Sequence, residues 1–205
     1  MDTDDRYKEK KGAVALFGGA FDPVHVGHVN IAQHVLELPG MKEVVFIPSA
    51  RSPLKRHGPL AGDSERFRML ELALSGQIGC RVDDCELKRG GLSHTVDTVR
   101  LFREQRPDAR LHWVLGADQF EQLDRWHRIE TLAGWVTFLV VARPGYRLGD
   151  PPVEGISCKR VEVPPMAASS TEIRERRSRN KSIHGLVPDA VEAFILEKNL
   201  YGSSR

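Results

Sequence analysis

The sequence predicts an α/β protein built on a Rossmann-like, doubly wound parallel sheet. Two observations predict it. Short runs rich in Val, Leu and Ile alternate with amphipathic stretches along the chain, as strands buried on both faces by crossover helices should. Polar motifs follow the apolar runs: GGAFDP after the first, PSARSPLK after the second, GAD after the Leu111 run and RPG after the Val136 run. In such sheets ligands bind beyond the carboxyl ends of the strands, near the switch in strand order. Four loops are therefore expected on one rim.

Taken in order, the strand candidates are 13–17 (AVALF), 43–47 (EVVFI), a short 79–82 (GCRV), 111–115 (LHWVL), 136–142 (VTFLVVA) and 157–163 (SCKRVEV). Helices are expected over 28–38, 64–74, 95–106, 120–123, 129–132, 171–177 and 190–198. In the second of these, Phe67, Leu70, Ala73 and Leu74 share one face while Glu65, Arg68 and Glu71 point elsewhere. The irregular segment 144–155 reads as a surface loop, and no repeat or low-complexity tract interrupts the pattern.

With 205 residues, the chain suffices for one well-packed domain, expected over 12–205. The opening MDTDDRYKEKK is charged and has no apolar h-region; it reads as a disordered lead-in over 1–11 and not as a signal peptide. No apolar run approaches a membrane span. The net charge of +2, with both signs mixed, gives no global field for holding nucleic acid. Three cysteines, Cys80, Cys85 and Cys158, are odd in number and form no CxxC pair. That argues against a disulfide framework or a structural zinc site and fits a reducing cytoplasm. No motif bears on oligomeric state.

The chemistry concentrates in Gly18–His28, GGAFDPVHVGH. Glycines at a strand-to-helix turn allow positive φ and let backbone N–H groups approach a phosphate closely. The helix that follows turns its positive end toward whatever sits in that turn. This is neither a P-loop nor the GxGxxG fingerprint. His25 and His28, three apart, share a helix face. With Asp22 they could ligate a metal, although zincins space histidines by four around a Glu. They could equally be a structural pair, or imidazole N–H donors to phosphate oxygens. Near the other end, Ser169 and Glu172 have capping-box spacing, so a helix begins there. Its N–H groups, the Ser170 and Thr171 hydroxyls and Arg174 could make an anion cradle. The adjoining Arg176, Arg177, Arg179 and Lys181 read as a solvated basic face.

GGAFDPVHVGH resembles the signature of the HxGH nucleotidyltransferase superfamily. Along almost its whole length the chain is similar to the bacterial nicotinate-nucleotide adenylyltransferases, through IPSARSPLK, HTVDTVRLFREQRP, LGADQF, VVARPGY, SSTEIRER and LVPDAVEAFILEKNLY. The resemblance implies adenylyl transfer from ATP to nicotinate mononucleotide, with Mg²⁺ carried by ATP. It implies His25, His28, Arg174 and Lys55 at the phosphates. It also implies Gly18, Gly19, Ala20, Phe21, Asp22, Gly116, Asp118, Arg143, Ser170 and Thr171 around ATP, and Ser93, His94, Thr95 and Trp126 around the mononucleotide. In the family the Ser93–Thr95 segment offers backbone contacts to the nicotinate carboxylate, and the tryptophan stacks on its ring. Two positions depart from the family pattern: Leu54 replaces a histidine before Lys55, and His94 replaces a tyrosine. Rival readings are another acceptor (nicotinamide mononucleotide or phosphopantetheine), a non-catalytic nucleotide sensor, or a zinc hydrolase.

Overall fold

The computed structural model describes residues 12–54, 57–142, 145–146, 149–164 and 166–202. The expected lead-in, Lys55 and Arg143 lie outside the described residues. Strand β1 (Ala13–Gly19) runs through the middle of a six-stranded sheet. It pairs in parallel with β2 (Met41–Pro48) on one side and β4 (Arg110–Gly116) on the other. The order is β3-β2-β1-β4-β5-β6 and every pairing is parallel. From β1 the chain winds outward through α1 (Val26–Leu36), β2, α2 (Asp63–Leu74) and β3 (Cys80–Val82). It then returns past the centre through α3 (Cys85–Arg89) and α4 (Thr95–Gln105) to β4. The second half continues through α5 (Ala117–Phe120), a 3-10 turn (Leu123–Arg125), α6 (Ile129–Ala133), β5 (Thr137–Ala142) and β6 (Ser157–Glu162). Helices α7 (Ser170–Ser178) and α8 (Asp189–Glu197) close the chain. The reversal of winding falls between β1 and β4, where their carboxyl ends part to form a crevice.

Alternation along the central strands builds the layers. Ala15, Phe17, Val44 and Phe46 face a core shared with α1, α2, α7 and α8. Val14, Leu16, Val45 and Ile47 face the opposite core, closed by α4 to α6. With side chains of period two feeding both faces, each strand must be apolar throughout.

All six expected strands form, but several helix details differ. α1 starts at Val26 with His25 as its N-cap, not at His28, because the His25 backbone is extended and the helix turns immediately after it. The expected helix over 120–123 is two pieces, α5 and the 3-10 turn. α3 escapes periodicity because it is five residues long; the glycine after it, Gly90 with φ 68°, was its available signal. On α2 the buried stripe is Arg66, Met69, Leu70, Ala73 and Leu74, with Phe67 only partly covered. Arg177 also departs from expectation: it is buried and reaches Asn199 Oδ1 at 3.5 Å, tying α7 to the turn after α8.

Candidate active site

The β1–α1 turn is shaped by close packing. A Cβ on Gly18 would lie 2.5 Å from Cζ2 of Trp113, and one on Gly19 would lie 3.0 Å from the Phe21 ring. These glycines are therefore needed for space. The left-handed conformation expected of them falls instead on Phe21, at φ 47°. Phe21 tolerates it because its ring is locked against Phe17 and Phe46, with centroids 5.5 Å from each. Asp22 follows, joined to Pro23 by a cis peptide. Its carboxylate accepts from Leu60 N (2.8 Å), Ala61 N (3.0 Å) and the Tyr201 hydroxyl (2.8 Å). That carboxylate is 5% exposed as a residue and is committed to holding three segments together. Behind the turn, fully buried Arg66 donates to Ala20 O at 2.7 Å and to Asp63 at 2.6 Å. Arg66 was legible only as an arginine lying on an apolar stripe.

The two histidines stack, with ring centroids 3.7 Å apart and planes 28° from parallel. His28 Nδ1 accepts from the His25 backbone N–H at 3.2 Å. In the neutral ring this places the proton on Nε2. The edges of Phe17 and Phe21, at 5.9 and 5.0 Å, hold the same ring from its sides. His25 Nδ1 is buried and has no hydrogen-bond partner among the described residues. Burial lowers the His25 imidazole from the ordinary 6.5 to about 4, so the ring is neutral at physiological pH. The unfolded chain binds this proton near the ordinary value and the folded chain only near the lowered one. Between the two, the unfolded state holds more protons, so stability falls as pH falls. The full difference is on the order of 3 kcal/mol. Urea titrations between about pH 7 and about pH 4 should therefore show a flatter pH slope for His25→Asn than for the natural chain; parallel slopes would place the acid sensitivity elsewhere.

α7 brings a third part to this turn. Ser169 caps the helix, accepting from Glu172 N at 3.2 Å. The Ser170 hydroxyl donates to Pro23 O at 2.8 Å. Arg174 donates to Asp22 O at 2.7 Å and to Thr171 Oγ1 at 3.3 Å. Thus Ser170 and Arg174 reach the β1–α1 turn across most of the sequence, with Thr171 bonded to Arg174. Their polar atoms are held on that turn and on one another.

On the other side of Gly18–Ala20 opens a cleft of about 440 Å³. It brings together Gly18, Gly19, Ala20, Ser93, His94, Thr95, Asp118 and Trp126 of the sequence-derived set. His25, His28, Ser170, Thr171 and Arg174 are not among its lining residues; they gather around the same turn instead. Gly116 ends β4, and a Cβ there would meet Asp118 Oδ1 at 2.6 Å, so the exposed Asp118 carboxylate folds back over the strand end. Trp126 is half-buried and stands edge-on to Trp113 and Phe138, 6.3 Å from each, leaving a face for the cleft. His94 and His127 lie 4.6 Å apart at the cleft wall. The first intrahelical bonds of α4 run from Asp97 N and Thr98 N to His94 O, so the N–H groups of Thr95 and Val96 precede them and are outside the ladder. Glu86, Trp113, Arg125 and His127 also line the cleft and had no sequence signal, because their elements meet only in three dimensions. Burial pushes the Cys80 and Cys85 thiols up to about 11 and 12, so neither is a thiolate nucleophile at neutral pH.

A crevice at the switch point, flanked by a stacked histidine pair and the starts of α4 and α7, defines a nucleotide-handling α/β protein of phosphoryl-transfer type. The chain belongs to the cytidylyltransferase-like family, whose model matches residues 16–176. It is 40% identical over 193 residues to a probable nicotinate-nucleotide adenylyltransferase of Geobacillus thermodenitrificans, covering 94% of this chain and 87% of that one. A protein of the same description from Opitutus terrae is 37% identical, over 94% and 99% of the two chains. Among solved structures, the Plasmodium falciparum nicotinic acid mononucleotide adenylyltransferase complexed with NaAD superposes with a TM-score of 0.77 at 18% identity. That match covers 93% of this chain and 97% of that one and bears on the fold.

Proposed function

We propose that this protein transfers the adenylyl group of ATP to nicotinate mononucleotide, forming deamido-NAD and pyrophosphate in NAD biosynthesis. The observation that carries the reading is one turn serving two half-sites. Gly18–Ala20 borders the cleft holding Trp126 and the α4 start, while the same turn is gripped by the His25–His28 pair and Arg174. An oxygen of the mononucleotide phosphate attacks the α-phosphorus of ATP in line. The bond from that phosphorus to the bridging oxygen of pyrophosphate breaks, and pyrophosphate leaves with the electron pair. The attacking phosphate is already ionised, so no protein nucleophile is required. What remains for the protein is to bring two polyanions together and stabilise charge on the equatorial oxygens.

His28, whose Nδ1 accepts from the His25 backbone N–H, turns Nε2 outward as the donor for that charge, and His25, kept neutral by its burial, stacks beside it. Arg174 meets the leaving pyrophosphate. Mg²⁺ carried by ATP would supply charge neutralisation on the phosphates. Asp118, at the cleft rim, suits a hydrated Mg²⁺, which needs only one or two carboxylates. The three-ligand group His184, Asp189 and Glu192 lies outside the cleft. Among the described residues no helix is long and apolar enough to cross a membrane, and the three cysteines are free thiols, in keeping with work in the cytoplasm.

Pyrophosphate release with a panel of acceptors (nicotinate mononucleotide, nicotinamide mononucleotide, phosphopantetheine) tests the reading. Silence with all three would favour a nucleotide sensor. Arg174→Ala should weaken ATP binding by roughly tenfold or more and slow turnover, as loss of a charge-assisted contact does, while mononucleotide binding stays unchanged. Separate titrations of each substrate check this, and a loss confined to the mononucleotide would reassign Arg174.

A further inference from the structure

The cleft contains a carboxyl group that the reaction does not use. Glu86, on the short helix α3, is 3% exposed yet lines the cavity. A carboxyl in that place is unexpected beside a site meant for an anionic acceptor, because like charges repel and burial penalises each. Its surroundings resolve the conflict. The Thr98 hydroxyl donates to Glu86 Oε1 at 2.5 Å, and Thr98 in turn accepts from Arg89 at 3.2 Å. From the other side the Ser93 side chain is hydrogen-bonded to Glu86. Ser93 Oγ accepts from Ala50 N at 3.0 Å, and Ser93 N donates to Arg51 O at 2.8 Å. One chain of hydrogen bonds therefore runs from α3 through α4 to the loop after β2, with Glu86 as its common acceptor.

We propose that Glu86 is the positioning residue of the acceptor site: through Ser93 and Thr98 it fixes the Ser93–Thr95 turn, and so the N–H donors at the α4 start. This rests on the nicotinate mononucleotide reading. The physical reason is pre-organisation. Thr98 lies one turn into α4 and Ser93 two residues before its first residue, so the carboxyl pins the helix start from both sides. Donors held in place before binding need not be ordered by the ligand. Burial also pushes the Glu86 carboxyl above the usual carboxylate range, with the Thr98 and Ser93 bonds and the Arg89 charge opposing that rise. The Thr98 and Ser93 bonds turn the carboxyl toward the scaffold and away from the acceptor.

The test is steady-state pyrophosphate release by Glu86→Ala, Glu86→Gln and Thr98→Val, with thermal melts to verify folding. Glu86→Ala should raise KM for nicotinate mononucleotide about tenfold, with KM for ATP and kcat within about twofold. Glu86→Gln, whose amide oxygen still accepts from the Thr98 hydroxyl, should recover most of the loss. Thr98→Val, which keeps shape and removes one of the two bonds, should fall between, and it carries the test if Glu86→Ala does not fold. Equal rises in both KM values would overturn the proposal, as would an unchanged mononucleotide KM or a Gln variant as poor as Ala. If the natural chain itself releases no pyrophosphate with nicotinate mononucleotide, the functional reading has failed, which is a separate outcome.

Discussion

His28→Ala is expected to lower turnover by about 10²–10³, the size measured when one pre-organised donor to developing charge is removed. The ring is held on every side: stacked on His25, edged by Phe17 and Phe21, and fixed in tautomer by the His25 N–H. A donor so constrained contributes at the moment charge builds, and little to binding the ground state. ATP affinity should therefore change much less than kcat. Steady-state kinetics beside a thermal melt separates the cases. Turnover within about threefold of the natural chain would make His28 a packing residue. His28→Asn, which can still donate from its amide, should retain more activity than alanine.

The second large effect concerns the acceptor. Nicotinate and nicotinamide mononucleotides differ by a carboxylate against an amide. The Thr95 and Val96 N–H groups, outside the α4 ladder, together with the positive end of that helix favour an acceptor-only carboxylate. An amide turning its oxygen inward would bring its NH₂ against other donors. Each such mismatch costs about 1–3 kcal/mol, so two give a kcat/KM preference for nicotinate of about a hundredfold or more. The rival pull is Glu86, which could accept from that NH₂. Buried and turned toward Thr98 and Ser93, it faces the scaffold rather than the acceptor. Trp126, with one face toward the cleft, stacks on either ring, so Trp126→Ala should weaken both acceptors and leave the ratio mostly intact. Competition between the two mononucleotides decides it, and equal use would mean that His94 and His127 have remade this wall.

The sheet was legible because its strands are buried on two faces and carry uninterrupted apolar runs. The strand order placed the described parts of the first three motifs, Gly18–Ala20, Ser49 to Leu54 and Asp118, on one rim, as their position after strand ends implied. What sequence hid was long-range partnership. Nothing local in DSERFRML says that Arg66 points inward to Ala20 O, and nothing in CELKR says that Glu86 meets Ser93 and Thr98. Asp22 was read as a residue near ATP, and sequence did not show that its carboxylate gathers two loop N–H groups and a tyrosine. The glycines were read for backbone freedom, whereas they clear space for Trp113 and Phe21. In each case the local pattern marked a position and was silent about which atom faces which.

The bond from Tyr201 to Asp22 joins positions 179 residues apart in sequence. During synthesis, β1, α1 and the histidine pair emerge early, yet this hydroxyl can reach the turn only after α8 has been made and docked. Loop closure over such a span costs entropy before its contact returns anything. The nascent chain therefore carries this turn without its bonds from Ser170, Arg174 and Tyr201 for most of translation, the tyrosine's arriving last, and the site sets its final shape late in folding. Tyr201→Phe tests the coupling: activity should be regained later than the sheet's far-ultraviolet signal in refolding, by a wider interval than in the natural chain.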